Sequence, residues 1–595
     1  MDRREVLALG LAAAGAGLRP APAKAAGTAE TDAGNAPRED ANLTIGVETL
    51  REAEKLHAVR FPDDALRRLA PLLSDKAKAI GPFHAESRPR DLQPASRFDP
   101  RMPGRTYPVQ HDHVRLHAGR RPTLPRADID VAFASVAEQA HWLATRQISS
   151  LRLTEIYLDR IPRIDPKLNA FITITADLAR RQAKERDAEL AAGRSRGPLH
   201  GIPYTLKDVI DTAGIPTTWG SSLFRQRVPS EDSAVAAKLR EAGGVLLGKV
   251  ATAELANGAT WFGGMVRNPW NIDEPSGGSS AGSGSSVAAG LCAFSIGTDS
   301  LGSILNPADR CGVTGLRPTF GRVPVHGCMP LTPSLERIGP LCRRAEDAAL
   351  VLAAINGPDP RSSASIDFGF AYDSAIDPRT IKVGYSPKWF SKVGFGEAGG
   401  EGQLLGLVPA SPGHLNGLAA MKDIGVEMVE VEFPVLPYAM LLDSLYVESA
   451  AIFEDLTLSG KDAQLIAPWA DSWRQARFLS AVDYYQIERF RRQVMEMMDR
   501  LFDRVDILFA PTYGSFELLM IANFTGHPGL SFRSGFAETA TRDLGFAPID
   551  PSGAKRRVTS NISMHGRLFE EGKMLALARL LEEKLDVWRE RPTIG

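Results

Sequence analysis

Apolar residues at Leu50, Ala53, Leu56, Phe61, Leu66, Leu69 and Leu72 fall at helical spacing. They predict two amphipathic helices between Gly46 and about Leu73, broken near Pro62. The same period over 136–145 and 150–161 predicts two more helices, the second opening on a Ser/Thr-rich cap. Residues 176–193 form a long charged helical pattern that stops at a glycine. The pattern then changes. Residues 202–209 are branched and aromatic and predict a strand, with Lys207 in its middle. A helix over 233–242 and a strand over 244–247 follow, and then an apolar run over 287–296 that reads as a buried element. Further on, the pattern predicts a helix over 345–355 and a polar loop over 357–380. Strands over 381–385 and 426–432 flank a helix over 415–424, as in a βαβ unit. Residues 436–500 are helical and rich in aromatics. A strand over 505–510 and a closing helix over 569–588 complete the chain. Alternating strands and helices without internal repeats place the protein in the α/β class.

Composition narrows the function classes. The 595 residues are 44% hydrophobic and 24% charged, with a net charge of -1, which gives no footprint for nucleic acid or an anionic membrane surface. The cysteines Cys292, Cys311, Cys328 and Cys342 have no Cys-x-x-Cys spacing, so neither a metal framework nor a disulfide framework is expected, and Cys311 reads as a packing residue. At the N-terminus, Arg3-Arg4 precedes a 13-residue apolar run from Val6 to Leu18, and Ala23-Lys24-Ala25 follows as a small-residue cleavage site. The run is too short to span a bilayer. Residues 1–26 therefore predict an export leader resembling a twin-arginine signal and, after its removal, a periplasmic protein with no membrane anchor. Residues 27–127 read as a linker, a helical extension and an irregular Pro-, Arg- and His-rich stretch, either an arm wrapping the core or a loop, ahead of a catalytic domain over 128–595. His111, Asp112, His113 and His117 cluster in that stretch. Lacking a helical or cysteine framework, they read as surface residues and not as metal ligands.

The chemistry concentrates between residues 273 and 319. Gly277-Gly-Ser-Ser-Ala-Gly-Ser-Gly-Ser-Ser286 leads into the apolar run and then into Gly297-Thr-Asp-Ser-Leu-Gly-Ser303. A flexible linker would join polar segments. Two hydroxyl-bearing tight turns joined by a buried element instead predict an active-site frame, in which glycine lets the backbone approach a ligand. A lysine inside an apolar strand, as at position 207, is costly as a charge, and desolvation lowers its pKa toward what a general base needs.

Two other patterns are false friends. Gly243-x-x-x-x-Gly248-Lys249 matches most of a P-loop but has Val250 where Ser or Thr must hold magnesium. Gly278-x-Ser280-x-Gly282 matches a nucleophile elbow, but the polar stretch 270–276 ahead of it is not the hydrophobic strand that an elbow requires.

Gly-Gly-Ser-Ser, Gly-Thr-Asp-x-x-Gly-Ser-Ile and Cys311-Gly-Val-Thr-Gly-Leu-Arg-Pro-Thr319, with Gly197-Pro-Leu-His-Gly-Ile-Pro-Tyr-Thr-Leu-Lys-Asp-Val-Ile-Asp211 upstream, resemble the amidase signature family from about residue 130 to the C-terminus. The resemblance implies a large mixed β-sheet covered by helices and serine-dependent hydrolysis of a carboxamide, small-molecule or peptide, through an acyl-enzyme. No cofactor and no metal are implied. It assigns Ser303 as nucleophile, Lys207 as base and Ser279 as the bridging serine after a cis Gly278–Ser279 bond. The backbone N–H groups of Ser300, Leu301, Gly302 and Ser303 become the oxyanion hole, with Gly278, Ser280 and Asp299 in support.

Two positions depart from the family pattern: Leu301 where glycine is usual, and Leu305 where arginine is common. Without that arginine, Asp299 needs another partner, such as Asn306 or a backbone donor. Two alternatives remain: a glutamine-hydrolysing amidotransferase subunit, which an export leader opposes, and a catalytically weakened binding protein. The aromatic helices of 469–490, including Trp473 and Tyr485, and the loop near Asn523 are expected to wall the acyl pocket. A homodimer is compatible with the sequence, which leaves oligomeric state open.

Overall fold

The computed structural model describes residues 45–594 except 86–87, 93, 118–121, 395–406 and 545–546, so the expected leader and nearly all of the expected linker lie outside the described residues. The core is an eleven-stranded mixed sheet. In chain order its strands are β1 (Phe171–Ile174), β2 (Pro203–Lys207), β3 (Val245–Val250), β4 (Phe294–Asp299), β5 (Thr314–Arg317), β6 (Arg337–Cys342), β7 (Lys382–Tyr385), β8 (Glu427–Glu430), β9 (Ile507–Pro511), β10 (Gly529–Thr539) and β11 (Arg556–Gly566). Their spatial order is β8-β7-β9-β11-β10-β5-β6-β4-β2-β3-β1. β2 runs parallel to both β3 and β4, and β7 runs parallel to both β8 and β9; the other pairings are antiparallel.

Every residue of β2, β3 and β4 is buried, because helices cover both faces. This explains why these strands read as apolar runs without alternation. The parallel register sets Leu206 beside Ile296. Lys207, at the C-terminal end of β2, therefore comes level with the Gly297-Thr298 end of β4, and strand order alone joins two motifs about ninety residues apart.

The N-terminal extension is helical as expected, over Val47–His57 and Asp63–Ala85, although the second helix runs past the predicted end. The arm that follows does wrap the core. Arg105 reaches Asp499 at 2.7 Å, and the strand His113–Arg115 pairs in parallel with Ala371–Asp373, inside what the pattern predicted to be loop. Asp112 accepts the Phe370 N–H at 2.7 Å, and His113 Nδ1 contacts the His111 carbonyl oxygen at 3.0 Å. No described helix is long and apolar enough to cross a membrane.

Four local expectations are corrected. The second half of the Gly/Ser run is not a turn but a buried helix, Ala281–Ala288. Its glycines serve close packing: a Cβ on Gly282 would lie 2.4 Å from the Ala251 nitrogen, and one on Gly284 would lie 2.9 Å from the Pro307 oxygen. Its serines bond outward to backbone, Ser283 to the Ile296 oxygen at 3.2 Å and Ser285 to the Arg267 oxygen at 2.9 Å. Second, the polar stretch before Gly277 contains a strand, Asn271–Pro275, but it pairs only with Arg267–Asn268 outside the large sheet. Third, the helix predicted to stop at 161 continues to Leu168 through Pro162 and Pro166. Fourth, Asn523 lies inside a helix, Phe516–Phe524, and not in a loop.

Candidate active site

Lys207 has no exposed side-chain surface. Its Nζ donates to Ser279 Oγ and to Thr298 Oγ1, each at 2.8 Å. Burial lowers its pKa to about 8, against the opposing pull of Glu336, Cys328 and Asp299. Ser279 follows a cis Gly278–Ser279 peptide bond, as the resemblance implied. Two backbone contacts hold this turn: the Ser279 carbonyl accepts the Ala253 N–H at 3.0 Å, and Asn306 Oδ1 accepts the Gly278 N–H at 2.8 Å. Asn306 also contacts the Tyr513 hydroxyl.

Ser303 closes the turn after β4, between Gly302 (φ +84°) and a helix, Leu305–Cys311. Its carbonyl accepts the Ser280 N–H at 3.2 Å, which ties the two serine turns together. Ser279, Ser300, Leu301 and Ser303 all line one cavity of about 120 Å³. The expected triad and the Ser300–Ser303 turn are therefore gathered in one place.

The oxyanion turn needs one correction. The Gly302 N–H donates to Asp299 Oδ1 at 2.6 Å, so it is not a spare donor. The N–H groups of Ser300, Leu301 and Ser303 make no hydrogen bond among the described residues and are open to an oxyanion. Asp299 also accepts the Ile304 N–H at 2.8 Å, and the Arg317 guanidinium lies 3.8 Å away. The partner that Asp299 needs in the absence of an arginine at 305 is thus Arg317 together with two backbone donors. It is not Asn306.

Ser280 cannot serve as an elbow nucleophile. It is fully buried, its Oγ donates to the Thr298 carbonyl at 3.1 Å, and it accepts the Thr298 N–H at 3.2 Å. Lys249, the P-loop look-alike, is equally buried. Its Nζ donates to the Ile210 carbonyl at 2.5 Å and to Thr217 Oγ1 at 2.7 Å, beside Asp208 at 3.7 Å. It braces the end of β2 and touches no cavity of the site.

Two members of the site escaped the sequence reading. Thr298 is the second acceptor of the Lys207 ammonium. Glu336, whose carboxyl burial pushes upward, accepts the Ser300 hydroxyl at 2.7 Å. Thr298 lies in the Gly297–Ser303 motif and Glu336 within the span of the resemblance, but nothing in their spacing marks them as neighbours of Lys207. The pocket wall meets the expectation only at Trp469. Trp469 lines the cavity with Leu442, Leu445 and Tyr446. Trp473 stacks behind Trp469 with ring centroids 5.5 Å apart, and Tyr485 is 68% exposed on the surface. Asn523 is buried against Arg337, at 2.5 Å.

If Lys207 is the base, it sets a pH dependence. Neutral Lys207 is the form that accepts a proton, and its share grows as pH rises through about 8. The expected kcat/KM profile therefore climbs with a single limb near that value. A profile already flat from pH 5 upward, measured on one neutral substrate, would exclude Lys207 as the base.

The family model described as Amidase matches residues 152–528. A glutamyl-tRNA(Gln) amidotransferase subunit from Methylococcus capsulatus is 32% identical over 490 residues, spanning 78% of this chain and 99% of the relative. The native peptide amidase from Stenotrophomonas maltophilia superimposes with a TM-score of 0.64 at 28% identity, covering 78% of this chain and 99% of that one. A bacterial aryl acylamidase of the amidase signature family shares the fold at a TM-score of 0.65 and 22% identity, covering 78% of this chain and 100% of that one.

Proposed function

The chain belongs to the amidase signature family, and on that footing we propose that it hydrolyses a carboxamide C–N bond through an acyl-enzyme on Ser303. One observation carries the assignment of roles: a buried lysine with a pKa near 8 is bonded to Ser279, which shares a cavity with Ser303. Neutral Lys207 takes the Ser279 proton while Ser279 takes that of Ser303, and Ser303 Oγ bonds to the carbonyl carbon. The oxyanion forms against the N–H groups of Ser300, Leu301 and Ser303. As the C–N bond breaks, Ser279 returns a proton to the departing nitrogen and regains one from Lys207. Water then attacks the ester by the same route, which frees the acid and restores Ser303.

A second reading, a glutamine-hydrolysing amidotransferase subunit, is favoured by the curated relatives, which are glutamyl-tRNA(Gln) amidotransferase A subunits at 29% to 32% identity over nearly their whole length. The leader expected over residues 1–26 opposes it, since it places the chain outside the compartment that holds tRNA. We propose a periplasmic site of action on that leader alone.

The test pairs a fluorophosphonate probe with ammonia release from glutamine, asparagine, a peptide C-terminal amide and simple neutral amides. The expected result is a covalent adduct located on Ser303 by peptide mass spectrometry and ammonia from at least one amide. An adduct on Ser280, or none on the folded protein, would overturn the assignment.

A further inference from the structure

We infer that the acyl pocket selects a neutral, apolar acyl group, aliphatic or aryl, and rejects free glutamine; this rests on the acyl-enzyme reading above. Beyond the two serine turns, the cavity wall is Leu331, Leu442, Leu445, Tyr446, Trp469 and Phe516, all buried or half-buried. Its remaining polar members, Asn257, Asn306 and Tyr513, are neutral, and no Asp, Glu, Lys, Arg or His lines it among the described residues.

Several charged side chains around these walls are already engaged. Glu254 accepts the Ile466 and Ala467 N–H groups at 2.5 and 2.8 Å. Glu336 holds Ser300, and Glu448, on the same helix as Leu442 and Leu445, accepts the Ser334 N–H at 2.9 Å. Arg491 donates to the Phe524 carbonyl at 2.6 Å and to Ser334 Oγ at 2.8 Å.

Glutamine would bring an ammonium and a carboxylate into this cavity with no charged partner for either, which is the unfavourable case for burying charge. An apolar acyl chain loses nothing there and gains with each methylene. The wall is also rigid. Trp469 Nε1 donates to the Leu255 carbonyl at 3.0 Å, and its ring stacks on Trp473, which stacks in turn on Phe453 at 5.2 Å. At about 120 Å³, the cavity approaches the roughly 150 Å³ at which an apolar cavity takes up benzene, so it suits a benzoyl or short aliphatic acyl group.

The experiment measures acylation rates on p-nitrophenyl acetate, butyrate, hexanoate and octanoate, and then kcat/KM for ammonia release from hexanamide, benzamide and glutamine, with Ser303→Ala as the blank. The inference expects acylation to rise by about two- to fourfold per methylene up to hexanoate. It also expects hexanamide or benzamide to exceed glutamine by about a hundredfold or more, since buried polar groups left unpaired discriminate strongly. In Leu445→Lys, the hexanoate-to-acetate ratio should collapse toward one, a change in selectivity that partial misfolding would not produce. Ser303-dependent turnover fastest on glutamine, or indifferent to chain length, overturns the inference and leaves the catalytic reading standing. No Ser303-dependent acylation by any ester overturns the catalytic reading itself.

Discussion

Lys207→Met lowers kcat by about 10⁴- to 10⁶-fold, the range expected when the base of a nucleophile–base unit is removed. Methionine keeps the length and apolarity of the stem, so the packing of β2 survives, and the variant sheds an amine that burial already penalises. Its melting temperature should equal or exceed that of the parent. Ser303→Ala falls by a similar factor, and the double variant is no worse than either single one, because the groups act as a unit. Thermal melts beside turnover on the best amide decide the matter. A Lys207→Met enzyme within about tenfold of the parent would remove the lysine from the mechanism. It would also revive the reading of a weakened, non-catalytic protein, which the retained geometry of Lys207, Ser279 and Ser303 otherwise opposes.

How much of this was legible beforehand varies with the kind of signal. Lys207 stood out because one charge inside an apolar strand has few structural excuses, and β2 is indeed buried along its whole length. The Gly/Ser run was legible as part of a site but not as a helix. Glycine and serine are weak helix formers, and only the packed neighbours Ala251, Ala170 and Pro307 show why nothing larger fits.

The hairpin of β10 and β11 was largely missed for a related reason. Much of β11 is small or polar and reads as loop. In the fold those groups are bonded into the core, Thr559 Oγ1 to the Asp309 carbonyl at 3.0 Å and Asn561 Nδ2 to the Ala308 carbonyl at 3.0 Å. Hydrogen-bonding capacity within a distant part of the chain leaves no period to read. The same limit hid Glu336 and Thr298. Their roles depend on β6 lying beside β4 and β4 beside β2, a strand order that no local pattern encodes.

The partner of Asp299 was legible only as a need, and the way it is met carries the second large effect. Asp299 and Arg317 are both fully buried. The carboxylate accepts the Gly302 and Ile304 N–H groups that shape the oxyanion turn. Arg317→Met would leave that carboxylate without its cation, and removing one member of a buried pair costs about 3–5 kcal/mol. If the turn loosens, the loss of one well-aimed donor lowers kcat by about 10²- to 10³-fold.

A merely structural role would give the stability loss alone, so the decisive variant is a rescue. Leu305 Cδ1 and Arg317 Nη2 each lie 3.1 Å from the place a Cβ on Gly529 would occupy, so the two side chains share one pocket beside Asp299. Leu305→Arg, added to Arg317→Met, supplies a guanidinium from the other side of that pocket. It should recover at least about tenfold in kcat with little change in KM. If Arg317→Met keeps full kcat, or Leu305→Arg recovers stability without recovering rate, then Asp299 holds the turn through its two backbone bonds alone, and the arginine only neutralises a buried charge.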